Sequence, residues 1–353
     1  MTKKRSDLAA SLEARVPFDV SKPMFELQGI ARGRGWSGTV EKLVDKNSLP
    51  GKKVDSLLEA LKEHELAGEK LCRFYRAGAT SIKRMRGKLK TAQVAKGAMQ
   101  EAFPFLLSDT ELKKLPLGQP ALLAVDEVDG GIAAVFGSVR ALRIREPVDP
   151  KLLPDGAASI LANYDEVIGF KLIRHQALDV VWLPENGDVI DLRVDYPRGT
   201  HADIGRASQN SAMAAFDNLV GGNLFKAPLN LFPILSKMYD AAGEGRVVEL
   251  AFGTTTRSIK HERMRVSVDC LRTELYHMGG KKSLKTPVRP YKVSIAYTVD
   301  LGGGVESRPE LNLHTTSYVA ENPNPQLYDA VVRKTVGLAD YEHVRERILH
   351  FSK

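Results

Sequence analysis

The tetrapeptide Pro184-Glu185-Asn186-Gly187 separates two runs rich in β-branched residues, 166–183 (EVIGFKLIRHQALDVVWL) and 188–196 (DVIDLRVDY). An Asn-Gly pair takes the positive φ of a tight reversal at little cost, so these runs predict an antiparallel hairpin. Along the second run Val189, Asp191, Arg193 and Asp195 face one way and Ile190, Leu192, Val194 and Tyr196 the other, the pattern of a half-buried strand. A second turn signal, Asp129-Gly130-Gly131, joins ALLAVDEV (121–128) to IAAVFGSVRALRI (132–144).

Beyond these hairpins, strands are expected at 246–253, 291–299 and about 305–318. A helix is expected from about Asp203 to Leu219, stopped by Gly221-Gly222, and two closing helices at about 325–336 and 340–350. Hairpins dominate and no strand–helix–strand repeat is visible, so the fold class expected is α+β with mainly antiparallel pairing. Before Leu115 the pattern is helical and broken by glycine. The run LKKLPLGQP, 112–120, discourages helix on both sides through its two prolines and its glycine. It divides the chain into a helical module, 1–115, and an α+β domain, 119–353.

Charge follows the same division. The whole chain of 353 residues has a net charge of +8, yet its first hundred residues hold 21 Lys and Arg against 11 Asp and Glu, a net of +10. The rest sums to −2, and residues 70–100 carry nine cations and no acid. Like charges held close repel one another, so such a run reads either as the site of an anionic partner or as a solvated helix face followed by a Lys-rich loop.

Residues 54–77 place Val54, Leu57, Leu58, Leu61, Leu71, Cys72 and Tyr75 at helical spacing, which predicts an amphipathic helix or a helix pair broken near Gly68. His64 interrupts the apolar face and is expected to bond between helices. The C-terminal half brings Lys70, Arg73, Phe74, Tyr75 and Arg76 together and leads into Lys83, Arg84, Arg86, Lys88 and Lys90. Arg32 and Arg34, in the stretch GIARGRGWSGT, form a second basic patch with one tryptophan. Guanidinium forks suit phosphate oxygens, lysines add point charge and aromatic rings offer stacking faces. All twelve residues are therefore candidates for contacts to a nucleic-acid backbone, DNA or RNA, with the larger domain serving oligomerisation, regulation or recognition. An acidic protein partner, with the chain as a scaffold, is the alternative for the same surface. No zinc-finger spacing, zipper heptad or RNA-binding signature argues for sequence-specific reading.

Nucleotide hydrolysis is not expected. GIARGRGWSGT lacks the phosphate-loop spacing with adjacent Lys and hydroxyl, and Gly51-Lys52 is not followed by Ser or Thr. Ser37 or Thr39 with Glu41 reads as a helix start. A metal-dependent nuclease is the enzymatic alternative, with Glu166, Lys171, His175, Asp188, Asp191 and Asp195 as its candidates, but alternating charge on an exposed strand face accounts for the same residues. His201-Ala202-Asp203 reads as an Asp cap before a helix, and Cys270 between His261 and His277 lacks an orienting third group. Arg257, Lys260, Arg263 and Arg265, and Lys281, Lys282, Lys285 and Arg289, read as basic surface loops. No cofactor or metal is expected.

No run approaches the roughly 20 apolar residues of a membrane helix, and no apolar segment follows the basic residues near Met1, so a cytoplasmic protein without a membrane partner is expected. Cys72 and Cys270 lie outside any metal-ligand spacing and are expected to act as small apolar residues.

Overall fold

The structure is a computed structural model that describes residues 2–47, 49–128, 130–149, 152–161, 163–254, 258–266 and 268–353. Four helices come first, α1 (Thr2–Arg15), α2 (Phe18–Leu27), α3 (Gly35–Val44) and α4 (Gly51–Ala67). Then follow β1 (Lys70–Arg76), α5 (Ala79–Lys90), α6 (Ala98–Ala102), α7 (Asp109–Leu112), β2 (Ala121–Val128), β3 (Gly131–Pro147), α8 (Asp155–Leu161), β4 (Ile168–Pro184), β5 (Val189–Asp195) and α9 (Ala202–Val220). The chain continues through β6 (Ala227–Pro228), α10 (Phe232–Asp240), β7 (Arg246–Gly253), β8 (Ile259–Arg263), a 3-10 turn (Leu271–Thr273), α11 (Leu275–Ser283) and β9 (Arg289–Ala296). It ends with β10 (Val299–Asp300), β11 (Glu306–Ser307), β12 (Glu310–His314), α12 (Ser317–Ala320), β13 (Asp329–Arg333) and α13 (Leu338–Phe351).

Among the described residues one large sheet runs in the order β2-β3-β4-β5-β1-β13-β12-β9-β7-β8, with β6 added beside β1. The pairings between its named strands are all antiparallel, which makes the architecture α+β. Both expected hairpins form, and Gly187 turns between β4 and β5 at φ 118°. Asp129, in the β2–β3 turn, lies outside the described residues, as do Thr255, Thr256 and Arg257 beyond β7.

Two expectations fail in a connected way. The helix expected through residue 77 ends at Ala67, and Lys70–Arg76 is a strand. The helix expected at 325–336 is replaced by β13. In KLCRFYR the same apolar residues that fit helical spacing also alternate, with Leu71 and Tyr75 on one face and Cys72 and Phe74 on the other. Pairing decides between the two periods. β1 hydrogen-bonds to β5 along Lys70–Arg76 and to β13 along Lys70–Arg73, so it occupies the middle of the sheet.

The first face of the sheet packs Cys72, Phe74, Val180, Trp182, Val293 and Leu311 under α10 and α13, and the end of α4 joins this core through Leu66 and Ala67. α1 to α4 build their own apolar cluster around Leu12, Met24, Phe25, Leu57 and Leu61 on this side. The opposite face packs Leu71, Tyr75, Ile190, Leu192 and Val194 under α5 and α9. β5 is therefore covered on both sides and every one of its residues is buried, where alternation had indicated half burial.

Candidate nucleic-acid interface

α5 is held by Ile82, Met85 and Leu89, which recur at helical spacing and enter the apolar cluster it shares with Ala212, Phe216 and Val220 of α9. That packing aims the rest of the helix outward. Lys83 and Arg84 are exposed and have no ion-pair partner among the described residues. Lys88 donates to the Val220 carbonyl oxygen, and Lys90 meets Glu127 at 2.6 Å. The following residues 93–96 are exposed and include Lys96.

The remaining candidates are dispersed. Lys70, Phe74 and Tyr75 are buried, which corrects their assignment as nucleic-acid contacts, because a buried side chain in the sheet cannot reach a phosphate or stack on a base. Lys70 Nζ donates to Asp195 Oδ1 at 2.5 Å and to the Leu178 carbonyl oxygen at 2.8 Å. Arg73 lies on the second face in a two-point pair with Asp329, at 2.8 and 2.9 Å. Arg76 meets Asp188 at 3.1 Å, and Arg86 approaches Glu185 at 3.7 Å. Arg32 donates to the Phe18 carbonyl oxygen and to Ser21 Oγ while its guanidinium covers the Phe18 ring at 4.2 Å. Arg34 is exposed just before α3. Both belong to the helical layer on the side of the sheet opposite α5, so the structure does not bring the two basic patches together. Gly33, between Arg32 and Arg34, serves packing: a Cβ there would strike the Gly38 carbonyl. Helix α3 begins at Gly35, ahead of Ser37 and Thr39, and Thr39 Oγ1 donates to the Gly35 carbonyl oxygen at 2.7 Å.

Five of the nine cations in 70–100 thus face acids from beyond residue 119, namely Asp195, Asp329, Asp188, Glu185 and Glu127. Those segregated along the sequence are interleaved by the fold.

Asp191 and Asp195 of the β4–β5 hairpin sit in two buried charge clusters rather than on an exposed face, while Asp188 is exposed in the turn beside Arg76. Asp191 accepts from Arg345 Nε at 2.9 Å, Arg193 at 2.9 Å and the Tyr341 hydroxyl at 3.3 Å. Asp195 accepts from Lys70, from Arg15 at 2.6 Å and from the Leu178 backbone N–H at 2.8 Å. Arg15 also forks onto Glu65, and Arg140 pairs with Asp179, giving three cations and three carboxylates in one interior group. Burial works against the Asp195 carboxyl, but Arg15 and Lys70 hold it well below the usual carboxylate range. Burial pushes the Glu65 and Asp179 carboxyls up. Asp191 and Asp195 therefore have their oxygens committed, and no group of three or more metal-ligating side chains converges among the described residues.

His64 bridges helices as expected: Nε2 lies 3.4 Å from the carbonyl oxygen of Arg15, and Nδ1 3.3 Å from that of Val336. His201, not Asp203, caps α9, accepting from the Asp203 N–H at 3.4 Å. His277 is buried between the Tyr239 hydroxyl at 2.8 Å and Glu262 at 2.5 Å, and His261 bonds Glu249 at 2.7 Å, so neither is spent on Cys270. Cys270 Sγ instead accepts from the Val247 N–H at 3.3 Å. Burial pushes the Cys72 thiol up to about 12. Lys260 and Arg263 are exposed on the edge strand β8, and Lys281 and Lys282 on α11.

Sequence reasoning passed over one concave feature. The second face is open beyond α9, where a groove of about 660 Å³ is lined by Arg73, Tyr196, Arg206, His314, Tyr328 and Arg333. Each of its arginines has a carboxylate: Asp329, Asp203 and Glu69. Its charge is balanced, unlike the outward face of α5, where Lys83 and Arg84 have no ion-pair partner among the described residues. Alternating polar residues along β1, β12 and β13 were the available signal, hidden because β1 and β13 read as helices.

Comparison with protein-family models, with curated proteins and with solved structures gives no match for this chain. Among the described residues no helix is long and apolar enough to cross a membrane.

Proposed function

We propose that the chain binds nucleic acid through the outward face of α5 and the exposed residues after it, contacting the phosphate backbone without reading sequence. The observation that carries this reading is the pair Lys83 and Arg84, exposed and unpaired among the described residues on a helix that has no acid of its own. Lys90, Lys96 and Arg76 extend the positive surface at its ends, the first and last already sharing their charge with Glu127 and Asp188. Phosphate oxygens compete well with such exposed, solvent-screened carboxylates.

About four phosphate contacts give a slope near −3.6 in log affinity against log salt on duplex DNA. In an anisotropy titration of full-length protein on DNA and RNA, the Lys83→Ala/Arg84→Ala double variant is expected to weaken binding on both and to reduce the slope by about 2. Arg32→Ala/Arg34→Ala is expected to leave binding unchanged, since those residues lie across the sheet. A flat salt titration of the wild type, or equal loss in both variants, overturns the reading.

A further inference from the structure

β3 and β4 each run for 17 residues, far beyond their neighbours. β2 leaves β3 after the Ala121–Gly137 pair, with one further bridge at Leu117–Val139. β5 meets β4 only at Val180–Trp182. The outer halves, 141–147 and 168–173, therefore form a two-stranded ribbon with both edges unpaired, about 23 Å long at 3.3 Å per residue. A lone two-stranded ribbon is marginally stable in water.

This ribbon is also apolar where it should be polar. Phe170 is 58% exposed and Leu172 72%, and they share one side with Arg143 and Arg145, their cross-strand partners in reverse order. The Arg143 guanidinium lies over the Phe170 ring at 4.1 Å. Among the described residues of 140–176, none enters any of the four apolar clusters. The tip adds Leu152, Ile160 and Tyr164, all exposed.

Charge along the arm identifies what covers it. The ribbon segments 141–147 and 168–173 sum to +2, and the tip between them, 148–167, sums to −3. Asp165 and Glu166 are exposed at the tip, Arg143 and Arg145 on the ribbon. Two such arms laid antiparallel about a twofold axis place each acidic tip on the other's basic ribbon and cover Phe170 and Leu172 with their counterparts.

We propose that this arm is a homodimerisation element whose occupant is the arm of a second copy of this chain. The inference is independent of nucleic-acid binding. Sedimentation velocity of the full chain across rising concentration is expected to show a shift to twice the chain mass. Phe170→Asp/Leu172→Asp is expected to stay monomeric with unchanged circular dichroism, since both side chains are exposed. Arg145→Glu, and separately Asp165→Lys/Glu166→Lys, are each expected to lose the dimer, and an equal mixture of these two to regain it, because opposite charges again face each other in the mixed pair. A wild type that is monomeric throughout, an open-ended assembly, a double-Asp variant that still dimerises, or a mixture that does not recover overturns the proposal.

Discussion

Asp191 is fully buried and receives two guanidinium groups and a phenol. Removing it strands Arg193 and Arg345 in the interior, so Asp191→Ala is expected to cost roughly 3–5 kcal/mol in chemical denaturation. A second prediction concerns pH. The His64 imidazole is held down at about 4, by burial first and by the Arg15 guanidinium next. In the unfolded chain it returns to about 6.5, so between these values the unfolded state takes up a proton that the folded state refuses. The contribution of His64 to stability is whole above about pH 6.5 and falls by about 3 kcal/mol as pH drops toward 4. Urea midpoints at about pH 7.5 and 4.5 check this, and His64→Gln flattens that limb. The loss tied to Asp195 comes later, below the ordinary carboxylate range, because that group is held low. These buried charges were invisible in the sequence for a physical reason: Asp191, Arg193 and Asp195 alternate as an exposed face does, and the cations that bury them, Arg15, Lys70 and Arg345, lie far away along the chain.

The elements whose pairing is local were legible. β2 with β3, β4 with β5, β7 and α9 follow their alternation, turn residues and stop signals, because hairpin partners sit next to each other in the chain. β1 and β13 were not, since their partners are remote and a seven-residue and a five-residue segment fit either period. For the candidate interface, α5 was legible as a cation-rich segment, while the loss of Lys70, Phe74 and Tyr75 to the core depended on the strand assignment of β1. Hydrogen exchange separates the elements in turn. Amides of β1, paired on both sides, are expected to exchange only through global unfolding, whereas those of 141–147 and 168–173 exchange rapidly in dilute protein and are protected as concentration rises. Uniform protection of the two sets contradicts this.

At the scale of the whole molecule, the sequence divides into a +10 and a −2 portion, and the fold joins them through cross-pairs such as Lys70–Asp195 and Arg73–Asp329. Residues 119–353 expressed alone leave β5 and β13 without the strand that lies between them. That fragment is expected to lack a cooperative melting transition and to regain one when residues 1–115 are supplied in trans.

β1 has a further consequence for how the molecule is made. It is made before both of its neighbours, residues 189–195 and 329–333. The middle of the sheet therefore cannot close until residues 329–333 have been made, and until then β1 has one edge without its strand. Long-range pairing of this kind folds slowly and exposes sticky edges on the way. The demand on chaperones is set by the time a nascent chain must wait for β13.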